Sequence, residues 1–254
     1  MEETIMQFNK VLLVTGATGT IGQHLLSFLV SKGYKIIALG EGADSFSPEI
    51  LNNKHVKITT ALPISKEQFK KYDIQFCFGD TSEISFLASV FATADKNDLE
   101  IEFIFHLAAN QLLQKHSKAS YHPEYGDIAN ILEVTNAYWQ EHKKTLKGFF
   151  YVADSNNHAS KQIEELINKM TRKESFPIII YKPRLLSDVV GNYQGSTSLA
   201  SLYRFLSPVK APVMSMAWKK EADDELGYIA GLKKAAEKIL SQIKEGKKPE
   251  IEQN

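Results

Sequence analysis

Three glycines, Gly16, Gly19 and Gly22, close the run Val11-Leu-Leu-Val-Thr-Gly-Ala-Thr-Gly-Thr-Ile-Gly22. A strand-like apolar segment precedes them, and the segment that follows places Ile21, Leu25, Phe28 and Leu29 on one helical face. Glycines between a strand and a helix at this spacing suit a dinucleotide. Gly16 permits the tight turn, Gly19 removes the side chain that would block the pyrophosphate, and Gly22 lets the helix pack closely on the sheet. The unpaired N–H groups at the helix start then meet a doubly negative ligand. The cradle is assigned to Gly16, Thr18, Gly19, Thr20, Ile21 and Gly22. At the end of the next apolar run an acidic side chain can accept hydrogen bonds from the adenosine ribose. Glu41 is the nearest acid, with Asp44 further along, while Gly40 stands where the acid is first sought. Glu41 points to NAD, and no arginine follows it to hold a 2′-phosphate; NADP is kept as the second cofactor.

Such a loop needs a parallel sheet beneath it. Short apolar runs at 11–14, 34–39, 74–78, 101–107, 148–152 and 177–181 are often continuous rather than alternating, as strands covered on both faces are. Helical patterns lie between them at 21–31, 65–71, 84–94, 126–142 and 160–172, the last striped by Ile163, Leu166, Ile167 and Met170. The alternation predicts a Rossmann-type, doubly wound parallel α/β sheet flanked by helices. Residues 40–48 and 191–198 read as loops. An amphipathic helix is expected over 223–243, carrying Leu226, Ile229, Leu232, Ala236, Ile239, Leu240 and Ile243, with Gly227 and Gly231 weakening its first turns; it reads as a docking or an oligomer helix. Residues 1–254 are expected to form one domain, with 185–254 contributing a reduced substrate or oligomer region.

Composition narrows the partners. Lys plus Arg and Asp plus Glu number 30 each, so no overall field concentrates nucleic acid or anionic membrane around the chain. Cys77, the only cysteine, sits in an apolar run and reads as a buried strand thiol, and no intramolecular disulfide is possible. His24, His55, His116, His122 and His142 lack ligand spacing, so no metal is expected. The first ten residues are acidic and lack a long apolar stretch, and no later run reaches bilayer length, which makes the cytoplasm the expected location.

The glycine spacing resembles that of the extended short-chain dehydrogenase/reductase superfamily. Phe78-Gly-Asp80 is similar to the segment in which an aspartate meets adenine, with Thr81 beside it. Ile104-Phe-His-Leu-Ala-Ala109 resembles the fourth-strand signature, whose backbone at Leu107, Ala108 and Ala109 lines the cofactor, and His106 there belongs to the strand rather than to proton transfer. Asn130-Ile-Leu-Glu-Val-Thr-Asn136 resembles the helix that contributes Asn130, and Phe149-Phe-Tyr-Val152 the strand leading to the catalytic serine or threonine. Within the superfamily the likeness is to nucleotide-sugar 4,6-dehydratases and epimerases of polysaccharide biosynthesis. It rests on the long interval from Gly40 to Asp80 and on Gly191-Asn-Tyr-Gln-Gly-Ser-Thr-Ser198. The resemblance implies a UDP-linked amino sugar as substrate, with hydride passing from sugar C4 to the nicotinamide and later returning.

The superfamily's Tyr-x-x-x-Lys pair is only half present. Lys161 matches the lysine, which doubles as a cofactor ligand, but Asn157 stands at the tyrosine position, and an amide cannot serve as general base. Asp154 and Ser155 follow the strand and are the candidates for acid, base or sugar binding, although a strand-end Asp-Ser is also a common helix cap. Tyr121, Tyr125 and His158 are further candidates for the base. Lys182 or Arg184 is placed to meet a substrate phosphate or simply solvent, and Met214, Met216 and Trp218 to line a pocket or a dimer seam. Two functions follow. One is an NAD(P)-dependent nucleotide-sugar-modifying enzyme of surface polysaccharide assembly, working as a homodimer. The other is a catalytically impaired dinucleotide-binding sensor or partner subunit.

Overall fold

The computed structural model describes residues 9–40, 56–60, 64–107, 123–152, 163, 165–167, 169, 176–181 and 229–247. Seven strands form one parallel sheet: β1 (Lys10–Thr15), β2 (Ile36–Gly40), β3 (Ile58–Thr60), β4 (Ile74–Phe78), β5 (Glu100–Leu107), β6 (Gly148–Val152) and β7 (Ile178–Tyr181). Their spatial order is β3-β4-β2-β1-β5-β6-β7. The chain therefore works outward from β1 through β2 to β4 and β3, then returns to lay β5 against the other side of β1. That reversal opens a crevice beyond the carboxyl ends of β1 and β5, the place where open α/β sheets bind ligands.

Helices cover both faces. On one face lies α1 (Thr20–Ser31), whose Leu25, Leu26 and Leu29 pack with Leu12, Val14, Ile36, Ala38 and Phe76. On the other lie α2 (Ile84–Lys96) and α3 (Pro123–Glu141), which bury Leu87, Val90, Ile128 and Ile131 against Leu13, Ile37, Ile104 and Phe149. Ile163 and Ile167, from the helical residues near 163–169, join this second core. The expected doubly wound fold is the observed one.

Several details differ from the sequence reading. The helix expected over 65–71 is a single 3-10 turn, Gln68–Lys70. Only Phe69 is buried there, and the amide of Gln75 grips the backbone of Ser65 at both its N–H and its carbonyl (2.8 and 2.7 Å), which fixes the segment before a second turn can form. Strand β3 escapes the sequence pattern, because two half-buried residues and one exposed one carry no periodicity. Strand β5 contains a register shift where Val11 pairs with Ile101 and Leu12 with Phe103. Glu102 is the extra residue, and its presence lets Ile101 and Phe103 face opposite cores although two positions separate them.

The expected C-terminal helix is present over residues 229–244. Its Leu232, Ala236, Ile239, Leu240 and Ile243 pack into the α1-side core of the same chain. Gly231 lies against β7, since a Cβ there would stand 2.7 Å from Tyr181 Oη. The helix is thus a docking helix. Its apolar stripe is spent on this chain's own core. No helix among the described residues is long and apolar enough to cross a membrane.

Candidate functional site

The crevice is built from the end of β1 and the turn into α1. Gly16 adopts φ +64°, a left-handed conformation that disfavours any side chain, and a Cβ there would lie 2.7 Å from the Leu107 carbonyl at the end of β5. Gly22 is tighter still: a Cβ on it would run into the Gly16 carbonyl and stand 2.8 Å from the Ala17 carbonyl. These contacts bring the loop down onto the crossover strands and press α1 against the loop. Hydrogen bonds fix the approach. The Gly19 N–H donates to Gly16 O at 3.2 Å, the Ala17 N–H to Leu39 O at 3.2 Å, and Gln23 Nε2 to Thr18 O at 2.6 Å.

Helix α1 opens on Gly19 in extended conformation, with no side-chain cap and no acidic residue in its first turn. Its first intrahelical bond is the Gln23 N–H to Gly19 O, so the N–H groups of Thr20, Ile21 and Gly22 face outward from the helix start. Ile21 is half-buried, with its side chain packed against the α1-side core. A glycine floor and a bare helix terminus whose first turn carries no acidic residue fit a pyrophosphate.

Other predicted residues lie on the elements around the sheet's carboxyl edge. Leu107 ends β5 directly beneath Gly16. Asp80 and Thr81 occupy the turn after β4, where Asp80 Oδ1 accepts from the Ser82 N–H at 2.8 Å and from its hydroxyl at 2.6 Å. Asn130, on α3, donates from Nδ2 to the Ser82 carbonyl at 2.5 Å and so ties α3 to the Asp80 turn. Glu41, Ala108, Ala109, Tyr121, Asp154, Ser155, Asn157, His158, Lys161, Lys182, Arg184, Met214, Met216, Trp218 and the loop at 191–198 lie outside the described residues. Tyr125 falls in the first turn of α3.

Beneath the crevice two polar residues form a pair that spacing along the chain does not connect. Thr15 Oγ1 and His106 Nδ1 are 2.7 Å apart, near the carboxyl ends of neighbouring strands and in direct register. The His106 ring stacks on Tyr151 at 5.7 Å, and it is 4% exposed. Burial drives its pKa down from 6.5 to about 4, so at neutral pH it is an uncharged floor residue. The one signal in the sequence is that Thr15 directly follows one apolar run and His106 is the next-to-last residue of another. Cys77 is likewise buried, and desolvation pushes its thiol up to about 12, which leaves no thiolate for chemistry. Among the described residues no cluster of three or more His, Cys, Asp or Glu is arranged to hold a metal ion.

Comparison with known proteins places this geometry. The sequence profile of a family described as GDP-mannose 4,6 dehydratase matches residues 13–167, from β1 to the helical residues after β6. GDP-mannose 4,6 dehydratase 2 of Caenorhabditis elegans is 31% identical over 117 residues, which are 46% of this chain and 26% of the relative. The chain thus spans about a quarter of the length of the curated relative it matches. A metagenomic short-chain oxidoreductase solved with NADP superposes with a TM-score of 0.50 at 12% identity, covering 73% of this chain and 85% of that one. A short-chain dehydrogenase/reductase of Saccharomyces cerevisiae gives 0.50 at 18%, covering 78% and 82%. These two structures share the fold.

Proposed function

The chain belongs to the GDP-mannose 4,6 dehydratase family, and on that premise we propose that it is an NAD(P)-dependent enzyme acting on a nucleotide sugar. The observation that carries the cofactor half of this reading is the approach of Gly16 to Leu107 at the crossover, beside the uncapped start of α1. It leaves no room for a side chain on residue 16, so the loop presents backbone to a pyrophosphate. The solved short-chain oxidoreductase of the same fold holds NADP. When bound, the nicotinamide supplies a hydride acceptor and donor.

The chain's own residues would divide the remaining work. The loop from Gly16 to Gly22 orients the dinucleotide, and the Thr15–His106 pair gives a neutral, rigid floor that adds no charge beneath it. Asn130 fixes the Asp80 turn, whose exposed carboxylate we assign to the adenine end. Lys161 is assigned to the nicotinamide ribose and to lowering the pKa of its neighbours, and Asp154 and Ser155 to the sugar and its proton. The substrate class is a nucleoside-diphosphate hexose. The matched family and the curated relative favour a GDP-linked hexose, and a UDP-linked amino sugar is the alternative drawn from the loop at 191–198.

The test is direct. The NAD+- or NADP+-loaded protein is incubated with GDP-mannose and, separately, with a UDP-N-acetylhexosamine, and the products are analysed for a keto sugar that has lost one water. A keto product from either sugar supports the reading and selects the base; binding of the dinucleotide without conversion of either sugar contradicts the enzymatic half.

A further inference from the structure

Strand β7 ends on Tyr181, and Gly231 lies near the start of the described C-terminal helix, residues 229–244. The two elements meet at these residues. The Tyr181 ring lies against Phe150 of β6 on the α1 side of the sheet, with centroids 5.6 Å apart and planes 22° from parallel. Its hydroxyl then reaches Gly231, where a Cβ would stand 2.7 Å from Oη. Glycine is a poorer helix former than alanine by about 1 kcal/mol in a helix interior. At position 231 the missing side chain is the space that the hydroxyl occupies. The far end of the helix is held separately: Lys32 Nζ of α1 is 2.5 Å from Glu237 Oε1, and Lys244 Nζ stands 4.9 Å from the centroid of the Tyr34 ring. Those pairs tie the helix to the α1 end of the molecule, whereas Tyr181 ties its opening turn to β7.

The place of this contact gives it a use. All seven strands are parallel, so the last residue of β7 lies on the same edge as the glycine loop. Tyr181 pairs with Val152, and Val152 with Leu107, the residue against Gly16. Two strand spacings, about 10 Å, separate the Tyr181 backbone from that crevice floor. With the adenine end of the dinucleotide assigned above to the turn after β4, on one side of β1, its reactive end and the second ligand fall on the β5-β6-β7 side. In sequence the chain leaves β7 after Tyr181, with Lys182 and Arg184 next, and the described structure resumes at Ile229. Tyr181 and Gly231 thus join the departure of the chain to its return, and two ends already held together leave less to be ordered when a ligand binds. Resting on the nucleotide-sugar reading above, we propose that Tyr181 and Gly231 are positioning residues for the nucleotide sugar: by joining β7 to the C-terminal helix beside the crevice they set the affinity for its nucleoside diphosphate without touching the dinucleotide.

The experiment is calorimetric titration of GDP and UDP into the full chain saturated with NAD+ or NADP+, with the dinucleotide titrated separately, in the wild type, Tyr181→Phe, Gly231→Ala and the double variant. Tyr181→Phe keeps the ring on Phe150 and empties the space at Gly231, Gly231→Ala overfills it, and the double variant exchanges the hydroxyl for a methyl group and refills it. Each single variant should weaken the nucleoside diphosphate by about three- to tenfold while the dinucleotide stays within about twofold of the wild type, and the double variant should return to within about twofold for both. A contact that only stabilises the fold would move the urea midpoint in the same pattern and leave the GDP and UDP affinities unchanged, and that result overturns the proposal. Equal losses of both kinds of ligand, or a double variant no better than Gly231→Ala, overturn it as well. If Gly231→Ala fails to fold, Tyr181→Phe decides alone, and undiminished affinity for GDP and UDP in it is the contrary result. Failure of both GDP and UDP to bind the dinucleotide-loaded wild type is a different outcome, and it would remove the nucleotide-sugar reading itself together with this inference.

Discussion

At the scale of single residues, the site is made by what is absent at Gly16 and Gly22. Gly22→Ala would drive a methyl group into the Gly16 carbonyl and to within 2.8 Å of the Ala17 carbonyl, and neither backbone group can rotate away. We expect it to lower stability by about 1–3 kcal/mol, the usual cost of overpacking, read from the urea midpoint. His106 makes a second prediction. Its folded pKa is lowered from 6.5 to about 4, so as the pH falls the unfolded chain takes up the proton first. Its contribution is complete above pH 6.5 and drains away between 6.5 and 4. Between pH 7 and pH 5 the wild type should lose ~2 kcal/mol more than His106→Gln, which cannot titrate; equal losses would show that the ring is solvated. The glycine triplet is legible in the sequence because its meaning lies in spacing within one short run. The Tyr181–Gly231 contact is not, because it joins residues far apart in the chain and one partner is conspicuous only for lacking a side chain.

At the scale of elements, the buried strands read clearly because a strand covered on both faces must be largely apolar, as β2 and β6 are and as β1 is from Val11 to Val14. Elements that escape that demand are harder to read. Strand β3 pairs only with β4 at the sheet edge, and its half-exposed Ile58-Thr-Thr60 needs no apolar pattern. The bulge at Glu102 hides in an apolar run, since alternation broken once looks like no alternation. The C-terminal helix is legible as amphipathic, but amphipathicity does not say whose core receives the stripe. Its placement on the α1 side of this chain makes a prediction about concentration. Ile239→Ala, at a fully buried position, should destabilise the protein by about 2–5 kcal/mol. That loss should be the same at every protein concentration. An effect that fades as the protein is concentrated would show that the helix serves an interface between copies.

At the scale of the whole molecule, strand order turns a local motif into a site. The glycine loop follows β1, which is flanked on both sides by strands that follow it in the chain, and the return to β5 places Leu107 against Gly16. The cofactor side of this crevice is legible in the sequence because backbone and glycine spacing form it. The substrate side is proposed to rest on side chains such as Asp154, Ser155 and Lys161, and no spacing rule supplies their geometry, least of all where Asn157 stands in place of the usual tyrosine. Titration of NAD+ and NADP+ into the full chain and into Gly22→Ala therefore tests the central claim most directly. Saturable binding of one dinucleotide per chain, lost or strongly weakened in Gly22→Ala, is the predicted result. No saturable binding to the wild type, or binding undiminished in Gly22→Ala, would contradict a dinucleotide site at the β1–β5 crossover.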